Sequence, residues 1–311
     1  MKITDIVINL TQGAETKDAQ QFVGKPSRTI VKIETDEGIF GIAEGPRNYY
    51  LFKAYLDEMI KPLLVGLDPR NPKMIWEMLS HGTGPGLATK INPQVVGAID
   101  VALWDLSGKA AGVPVYQLLG GAARTKVQLY WSRGSGWRKT PDQMLDDVKL
   151  GFDKGYKAFK IRMDWRSFRQ DQDPKKDFSL FKKVREFLPE DCDLSFDANC
   201  GYSVPTAIEQ GKKFQDLGIA HFEEPLPEYD YPGLRQVVDA LECSVSTGEQ
   251  EPTPHRFRDL VDIGNPDILQ PDILNVGGIT GLLKVYEIAM NKNKIIMPHC
   301  PQAGINLIGS L

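Results

Sequence analysis

Short apolar runs that end in ionisable residues recur through the second half of the chain. The final five of these residues are 26, 26, 23 and 27 positions apart, and helical patterns such as 206–217 and 282–291 lie between the runs. Each run has the length and the Ile, Leu, Phe and Val content of a buried strand. A repeat of strand plus helix is typical of stacked βα units, whose strand ends converge on one rim of a barrel. The pattern therefore predicts one site formed by Lys160, Arg162, Asp197, Glu223, Glu249, Asp272 and His299.

The first part of the chain follows a different pattern. Residues 1–10 form a predicted strand, and residues 28–35 and 39–44 form a predicted hairpin that turns at Gly38. Three helices are predicted at 50–64, 72–80 and 93–111, with Asn92 as the N-cap of the third and Pro93 in its first turn. We therefore expect an α/β fold with two domains. Residues 1–121 form an α+β domain and residues 122–311 form a TIM-like (β/α) barrel.

The predicted strand count leaves the barrel incomplete. The strands lie at 127–131 and near residues 160, 195, 222, 246, 270 and 297, whereas a closed barrel of this type has eight. Only twelve residues follow His299. We therefore expect the barrel to be truncated before its eighth strand. Residues 164–177, which carry both charge signs, are interpreted as a solvated insertion.

Composition excludes several classes of function. The formal net charge is −4 and no basic helix or arm is present, which argues against nucleic-acid binding. No apolar run approaches the roughly 20 residues that span a bilayer. The four cysteines show no CxxC spacing and are expected to be reduced, so a cytoplasmic location is predicted. The glycine-rich loop at 81–86 lacks the Lys-Ser/Thr of a phosphate-binding loop.

Three of the strand-end residues are the carboxylates Asp197, Glu223 and Glu249. Converging in a buried rim, they would repel one another unless a cation compensated them. Ligands that are all oxygen suit a hard ion, so Mg²⁺ is favoured over Zn²⁺.

The remaining strand-end residues suggest acid–base chemistry. Lys160 and Arg162 are two positions apart and share one face of their strand, where they could hold an anionic substrate. Asp272 and His299 fit a dyad in which the carboxylate orients the imidazole. His221 precedes Phe222 on its strand and is expected to face the helices.

These residues, together with others, resemble the mandelate racemase/muconate-lactonising branch of the enolase superfamily. The similar segments are 98–109, 112–121, Lys160-Ile-Arg162, Asp197-Ala-Asn199, Glu223-Glu-Pro225, Thr247-Gly-Glu249, Gln270-Pro-Asp272 and Pro298-His299. The resemblance implies that residues 1–121 cap the barrel mouth. It also implies Mg²⁺ bound by Asp197, Glu223 and Glu249, and removal of a proton alpha to a carboxylate to give an enediolate. A symmetric homo-oligomer is expected as well.

One departure from the family pattern bears on the reaction. Many members carry Lys-x-Lys on the second barrel strand, whereas this chain has Arg162 at the second position. A racemase with two bases would lose one of them, which favours dehydration of a sugar acid to a 2-keto-3-deoxy acid. In that reaction Lys160, Arg162 and Asn199 would contact the substrate. An epimerase or cycloisomerase that uses Lys160 opposite His299, and a non-catalytic homologue, stay open as alternatives. Candidate specificity contacts are Lys25, Arg28, Arg47 and residues 81–90.

Overall fold

A three-stranded antiparallel sheet forms the start of the protein. The computed structural model describes residues 1–12, 27–81, 91–164, 170–300 and 304–310. The strands pair in the order β1-β2-β3, and Gly38 turns between the last two with a φ of 76°, in the region that favours glycine. The predicted hairpin is confirmed, and the strands are β1 (Ile3–Gln12), β2 (Ser27–Thr35) and β3 (Phe40–Gly45).

Helices then cover this sheet. The long helix Pro93–Ala111 begins as predicted, since the Asn92 side chain accepts a hydrogen bond from the backbone N–H of Gln94 at 2.9 Å. It ends at Gly112, which has a φ of 70°. The other helices of this part are Tyr49–Tyr55, a π-helical turn at Leu56–Ile60, Lys61–Leu64, Pro72–His81 and Val115–Leu118.

A seven-stranded parallel sheet follows, and its strands pair in chain order. Together with the antiparallel sheet and its helices, it confirms the predicted fold class. Within the described residues the first and seventh strands are the edges of this sheet, in agreement with the predicted count. The strands are β4 (Trp131–Arg133), β5 (Ala158–Arg162), β6 (Asp193–Asp197), β7 (His221–Glu223), β8 (Ser244–Thr247), β9 (Ile268–Leu269) and β10 (Ile295–Ile296).

The first barrel strand lies later than the sequence predicts. Residues 127–130 are outside any strand, and the side chains of Val127 and Leu129 are exposed. Pairing with β5 starts at Trp131, opposite Phe159. The indole of Trp131 lies close to Gly151 and donates a hydrogen bond to the Asp147 carbonyl, which fixes the strand at this residue.

Helices connect the strands and cover the outside of the sheet. The helix Pro174–Phe187 begins inside the stretch 164–177 that was interpreted as a solvated insertion, so that interpretation is wrong for residues 174–177. Asp173 caps this helix, and Asp177 in its first turn is fully buried. The remaining helices are Gly136–Arg138 (3₁₀), Pro141–Phe152, Val204–Gln215, Tyr231–Ala240, Pro254–Asp259, Leu260–Gly264 (π), Gly278–Asn291 and Ile305–Ser310.

Two apolar cores hold the molecule together. In the barrel, alternate strand residues such as Phe159, Phe196 and Phe222 pack against the helices, which leaves the opposite face of the strands for polar residues. The N-terminal core also includes Ile273 and Ile279 from the barrel side, so the two parts share packing. No helix among the described residues is both long enough and apolar enough to cross a bilayer.

Candidate active site

The carboxyl ends of β6, β7 and β8 bring acidic side chains together. Asp197 pairs in register with Glu223, and both are almost fully buried. Glu249 follows β8 and is partly buried. It is close enough for charge repulsion with both other acids: in addition to burial, its charge raises the pKa of Asp197, and the charge of Glu223 raises the pKa of Glu249. A fourth acid, Glu224, is 1% exposed and was not identified from the sequence. The structure therefore places the three predicted carboxylates in one buried cluster.

Lys160 compensates part of this negative charge. Its ammonium group contacts the Glu223 carboxylate directly and lies 3.7 Å from Asp197 Oδ2. The side chain is 3% exposed. Burial alone would lower the pKa of Lys160, but the charges of Glu223 and Asp197 outweigh it and raise the pKa above its usual range. Lys160 is therefore held as a cation.

One ammonium group does not balance the whole cluster. Burial and the neighbouring charge of Glu223 raise the pKa of Asp197 well above its usual range. Burial and the charge of Glu249 raise the pKa of Glu224 well above its usual range. Burial also raises the pKa of Glu249. Burial alone would also raise the pKa of Glu223, but the positive charge of Lys160 outweighs burial and lowers that pKa overall. The cluster has an excess of negative charge that a further cation would stabilise.

The chemistry of this cluster fits a hard divalent cation, but its arrangement is not that of a formed metal site. Among the residues that the structure describes, no three or more His, Cys, Asp or Glu side chains are disposed to hold a metal ion. Lys160 lies between Asp197 and Glu223, and Glu249 is directed toward His299. The oxygen-only donor set and its excess charge match Mg²⁺. The ligand assignment stays a prediction.

His299 lies between two carboxylates. Its Nδ1 is 3.0 Å from Asp272 Oδ2, and its Nε2 is 3.2 Å from Glu249 Oε2. Asp272 and His299 follow β9 and β10 and form an isolated parallel bridge. Burial lowers the pKa of His299, but the hydrogen bond to Asp272 and the charge of Glu249 raise it overall. The predicted dyad is thus present, with Nε2 directed toward the acidic cluster.

Arg162 is held at the rim of the site by Asp164. Arg162 Nε is 3.4 Å from Asp164 Oδ1, and Asp164 Oδ2 accepts a hydrogen bond from the Ser135 backbone N–H at 2.6 Å. The Asp164 backbone N–H donates to Asn199 Oδ1, while Asn199 Nδ2 donates to Asp197 Oδ2. Asn199, predicted as a substrate contact, is thus engaged in linking Asp164 to Asp197.

Backbone strain is concentrated at these strand ends. Five non-glycine residues there have φ values between 42° and 61°, in the left-handed region. Such conformations cost free energy and tend to cluster at active sites, where the surrounding structure enforces them. The residues are Ser135, Asp164, Asn199, Cys200 and Glu224.

A layer of polar side chains forms the floor of the site. His221 belongs to this layer, so the prediction that it faces the helices is wrong. His221 is 5% exposed and faces the barrel interior, because it lies two residues before Glu223 and shares its face of the strand. Ser195 and Gln270 lie in the same layer, two residues before Asp197 and Asp272. A period of two, counted back from each strand-end acid, would have identified all three.

The predicted specificity contacts are only partly within the described residues. Lys25 and residues 82–90 lie outside them, while His81 and Arg47 are exposed. Arg28 donates a hydrogen bond to Glu44 at 2.7 Å, and Glu44 is 4% exposed. The pairing of Arg28 with a buried carboxylate of the N-terminal sheet was not foreseen.

The chain is similar to proteins of known family along most of its length. It is 31% identical to arabinonate dehydratase of Saccharolobus solfataricus over 90% of this chain and 74% of that protein. It is 34% identical to L-talarate/galactarate dehydratase of Salmonella typhimurium over 87% of this chain and 67% of that protein. A magnesium complex of a mandelate racemase/muconate lactonizing protein from Paracoccus denitrificans superposes with a TM-score of 0.89. That pair shares 31% identity over 99% of this chain and 82% of the other.

Two family profiles match the sequence and together cover most of it. Residues 5–120 match the N-terminal domain of mandelate racemase/muconate lactonizing enzyme, and residues 143–311 match the enolase C-terminal domain-like family. These matches agree with the folded parts described above. The chain therefore belongs to the mandelate racemase/muconate lactonizing enzyme family of the enolase superfamily.

Proposed function

We propose that the protein is a Mg²⁺-dependent dehydratase of a sugar acid, either an aldonate or an aldarate. The observation that carries this proposal is the position of His299, which is oriented by Asp272 and directed at the carboxylate cluster. The two relatives named above, both dehydratases of sugar acids, support the substrate class.

Asp197, Glu223 and Glu249 are the residues that would hold Mg²⁺. When bound, the ion would act as a Lewis acid and stabilise the negative charge that develops on the substrate carboxylate as the C2–H bond breaks. The excess negative charge of the cluster is the feature of this chain that favours a divalent cation.

His299 would move the proton. Its Nε2 takes the proton from C2, while Asp272 keeps the ring in position from the Nδ1 side. The same proton then goes to the departing hydroxyl of C3, and water leaves as the C3–O bond breaks. The enol that remains becomes the 2-keto-3-deoxy acid when C3 takes a proton from solvent and the C2 hydroxyl releases its proton to solvent.

Lys160 and Arg162 would bind the substrate carboxylate. Arg162 is partly exposed at the rim and held by Asp164. Lys160 would be a poor second base, because its contacts with Glu223 and Asp197 hold it as a cation. This favours dehydration over racemisation or epimerisation, which need a base on each side of the substrate.

A screen for keto-acid formation tests this function. The protein, stripped of metal and then supplied with MgCl₂, is incubated with a library of aldonates and aldarates, and semicarbazide absorbance reports 2-keto acid. We expect turnover of at least one acid with Mg²⁺, none in EDTA, and none with His299→Asn. Conversion of an acid without formation of a keto acid would indicate an epimerase or cycloisomerase. Mg²⁺ binding without any conversion would support a non-catalytic homologue.

A further inference from the structure

The two carboxylate oxygens of the fully buried Glu223 have different surroundings. Oε1 faces the ammonium group of Lys160 on the side of Asp197. Oε2 accepts a hydrogen bond from Gln270 Nε2 at 2.7 Å and is 3.4 Å from His221 Nε2. One oxygen is therefore directed into the acidic cluster, while the other is held from the floor of the barrel.

Ser195 completes this arrangement behind His221. Its hydroxyl oxygen is 2.8 Å from His221 Nδ1, and both residues are buried. A carboxylate can only accept, so the proton of a neutral His221 must be on Nε2 to donate to Glu223. Nδ1 is then an acceptor and the Ser195 hydroxyl is its donor. One tautomer of a neutral imidazole therefore satisfies both contacts of His221.

We infer that Ser195, His221 and Gln270 form a brace that positions Glu223 to bind the divalent cation. None of the three would touch the ion or the substrate, so they are positioning residues. The inference rests on the proposed function, because it takes Glu223 as a metal ligand. Groups that hydrogen-bond a ligating carboxylate fix its orientation, and their loss typically lowers metal affinity about 10–100-fold.

Position in the fold supports a role beyond packing. The three residues come from β6, β7 and the end of β9, and all face inward in one polar layer beneath the acidic cluster. A packing role alone would be served by apolar residues, since burying a polar group is costly unless it is hydrogen-bonded. Ser195 instead hydrogen-bonds His221, and His221 and Gln270 both contact the carboxylate of Glu223.

Calorimetric titration of the metal-free protein with MgCl₂ tests the brace. The variants are His221→Phe, which removes the donor to Glu223, and Ser195→Ala, which removes the donor to His221. We expect His221→Phe to weaken Mg²⁺ binding about 10–100-fold, Ser195→Ala to weaken it less, and His221→Gln to restore part of the loss. With Mg²⁺ at saturation, kcat should recover more fully than the affinity, because the brace acts through the ligand.

Ser246→Ala is the matched control. Ser246 is also a buried serine on a barrel strand, but its hydroxyl has no hydrogen-bond partner among the described residues. Its Mg²⁺ affinity should equal that of the wild type. Melting in EDTA shows whether His221→Phe folds. If it does not, the Mg²⁺ affinity of Ser195→Ala tests the brace, because that substitution removes only one oxygen atom and should leave the fold intact.

The outcomes separate this inference from the function on which it rests. A wild-type protein that binds Mg²⁺ while its folded His221→Phe and Ser195→Ala variants bind within twofold of it would overturn the brace alone. A wild-type protein that binds no Mg²⁺ would contradict the proposed metal site, and the brace with it.

Discussion

At the scale of single residues, Asp164 shapes the rim of the site without being a predicted member of it. Its Oδ1 lies 3.4 Å from Arg162 Nε, and its Oδ2 accepts a hydrogen bond from the Ser135 backbone N–H, which holds the carboxylate beside the guanidinium. We predict that Asp164→Ala raises KM for the sugar acid about tenfold, which corresponds to about 1.4 kcal/mol of binding free energy. The change in kcat should be smaller, because the proposed role of Arg162 is to bind the substrate and not to transfer a proton.

The control for this variant is Asp142→Ala. Asp142 also pairs with a basic residue, Lys183 at 3.0 Å, but both side chains are solvent-exposed and belong to helices outside the barrel. Steady-state kinetics should show no change in KM for this variant. An Asp164→Ala enzyme with a wild-type KM would mean that Arg162 does not need this partner.

The sequence was most informative about residues that end an apolar run. Asp197, Glu223 and His299 were predicted because an ionisable group at the end of a buried strand is conspicuous. Asp164 was missed because its role depends on its left-handed backbone conformation and on Ser135 from a neighbouring strand end. The prediction for His221 is wrong because strand side chains alternate, and its spacing of two from Glu223 places it inside the barrel, on the face opposite to Phe222.

At the scale of elements, two helical glycines allow close packing in different ways. A Cβ on Gly97 would lie 2.7 Å from the Leu274 backbone oxygen, whereas a Cβ on Gly211 would lie 2.4 Å from a Leu241 methyl group. Backbone cannot move aside as easily as the end of a leucine side chain. We predict that Gly97→Ala lowers the free energy of unfolding by about 1–3 kcal/mol, despite the higher helix propensity of alanine.

Gly211→Ala serves as the matched control in a thermal melt. Both residues are buried in helix interiors, so both variants gain the same helix propensity. Gly97→Ala should melt at a clearly lower temperature than Gly211→Ala. Equal melting temperatures would show that the helix Pro93–Ala111 can move away from the barrel without cost.

Element boundaries were less predictable than element types. The approximate bounds predicted for the helix Pro93–Ala111 match the observed ones, and Asn92 and Pro93 give a strong local signal for its start. The start of β4 was predicted four residues early, because Trp131 is placed by tertiary contacts. The start of the helix Pro174–Phe187 was missed although Asp173 and Pro174 give the same kind of local signal as Asn92 and Pro93, because the mixed charges of residues 164–177 favoured a solvated stretch. Trp131 packs on Gly151, and Asp177 accepts a hydrogen bond from the buried Tyr202 hydroxyl at 2.7 Å.

At the scale of the whole molecule, Asp100 links the two apolar cores. Its carboxylate accepts hydrogen bonds from the Thr280 backbone N–H at 2.9 Å and from the Thr280 hydroxyl at 2.6 Å. Thr280 lies in the first turn of the helix Gly278–Asn291, whose N-cap Gly277 has no side chain. Trp104 donates to the same hydroxyl at 3.0 Å. A residue of the N-terminal part thus caps a barrel helix.

This link predicts a pH dependence of stability. Burial raises the pKa of Asp100 from 3.8 to about 7, although its hydrogen bonds oppose this. The pKa of Asp100 is higher in the folded state than in the unfolded state. Its contribution to the free energy of unfolding is therefore complete below about pH 4 and is lost as pH rises through 7. Between pH 6 and 8 the loss is about 1.4 kcal/mol.

Urea unfolding of Asp100→Asn in EDTA measures this contribution. Asparagine resembles the protonated carboxyl group, so the variant should lose less stability than the wild type between pH 6 and 8. Asp177→Asn is the comparison on the barrel side, because burial also raises the pKa of Asp177 to about 7. An Asp100→Asn protein with the wild-type pH slope would contradict this account of the link.

The overall architecture followed from the sequence because one repeating pattern determines it. Strand and helix alternate from Trp131 to His299, and this repeat requires parallel strands with their functional ends on one side. The sharing of Ile273 and Ile279 with the N-terminal core has no such signal, because apolar residues do not reveal which partner they meet. The domain boundary near Gly120 stays a prediction.

Removal of the C2 proton by His299 is the central claim, and proton NMR of the reaction in D₂O tests it most directly. With Mg²⁺ and a sugar acid identified in the screen, the wild-type protein should release a 2-keto-3-deoxy acid that carries one solvent deuteron at C3. The His299→Asn protein should bind Mg²⁺ as the wild type does, but it should form no product and leave the C2 proton in place. Turnover or C2 exchange by His299→Asn at the wild-type rate would contradict the account and assign the base to another residue.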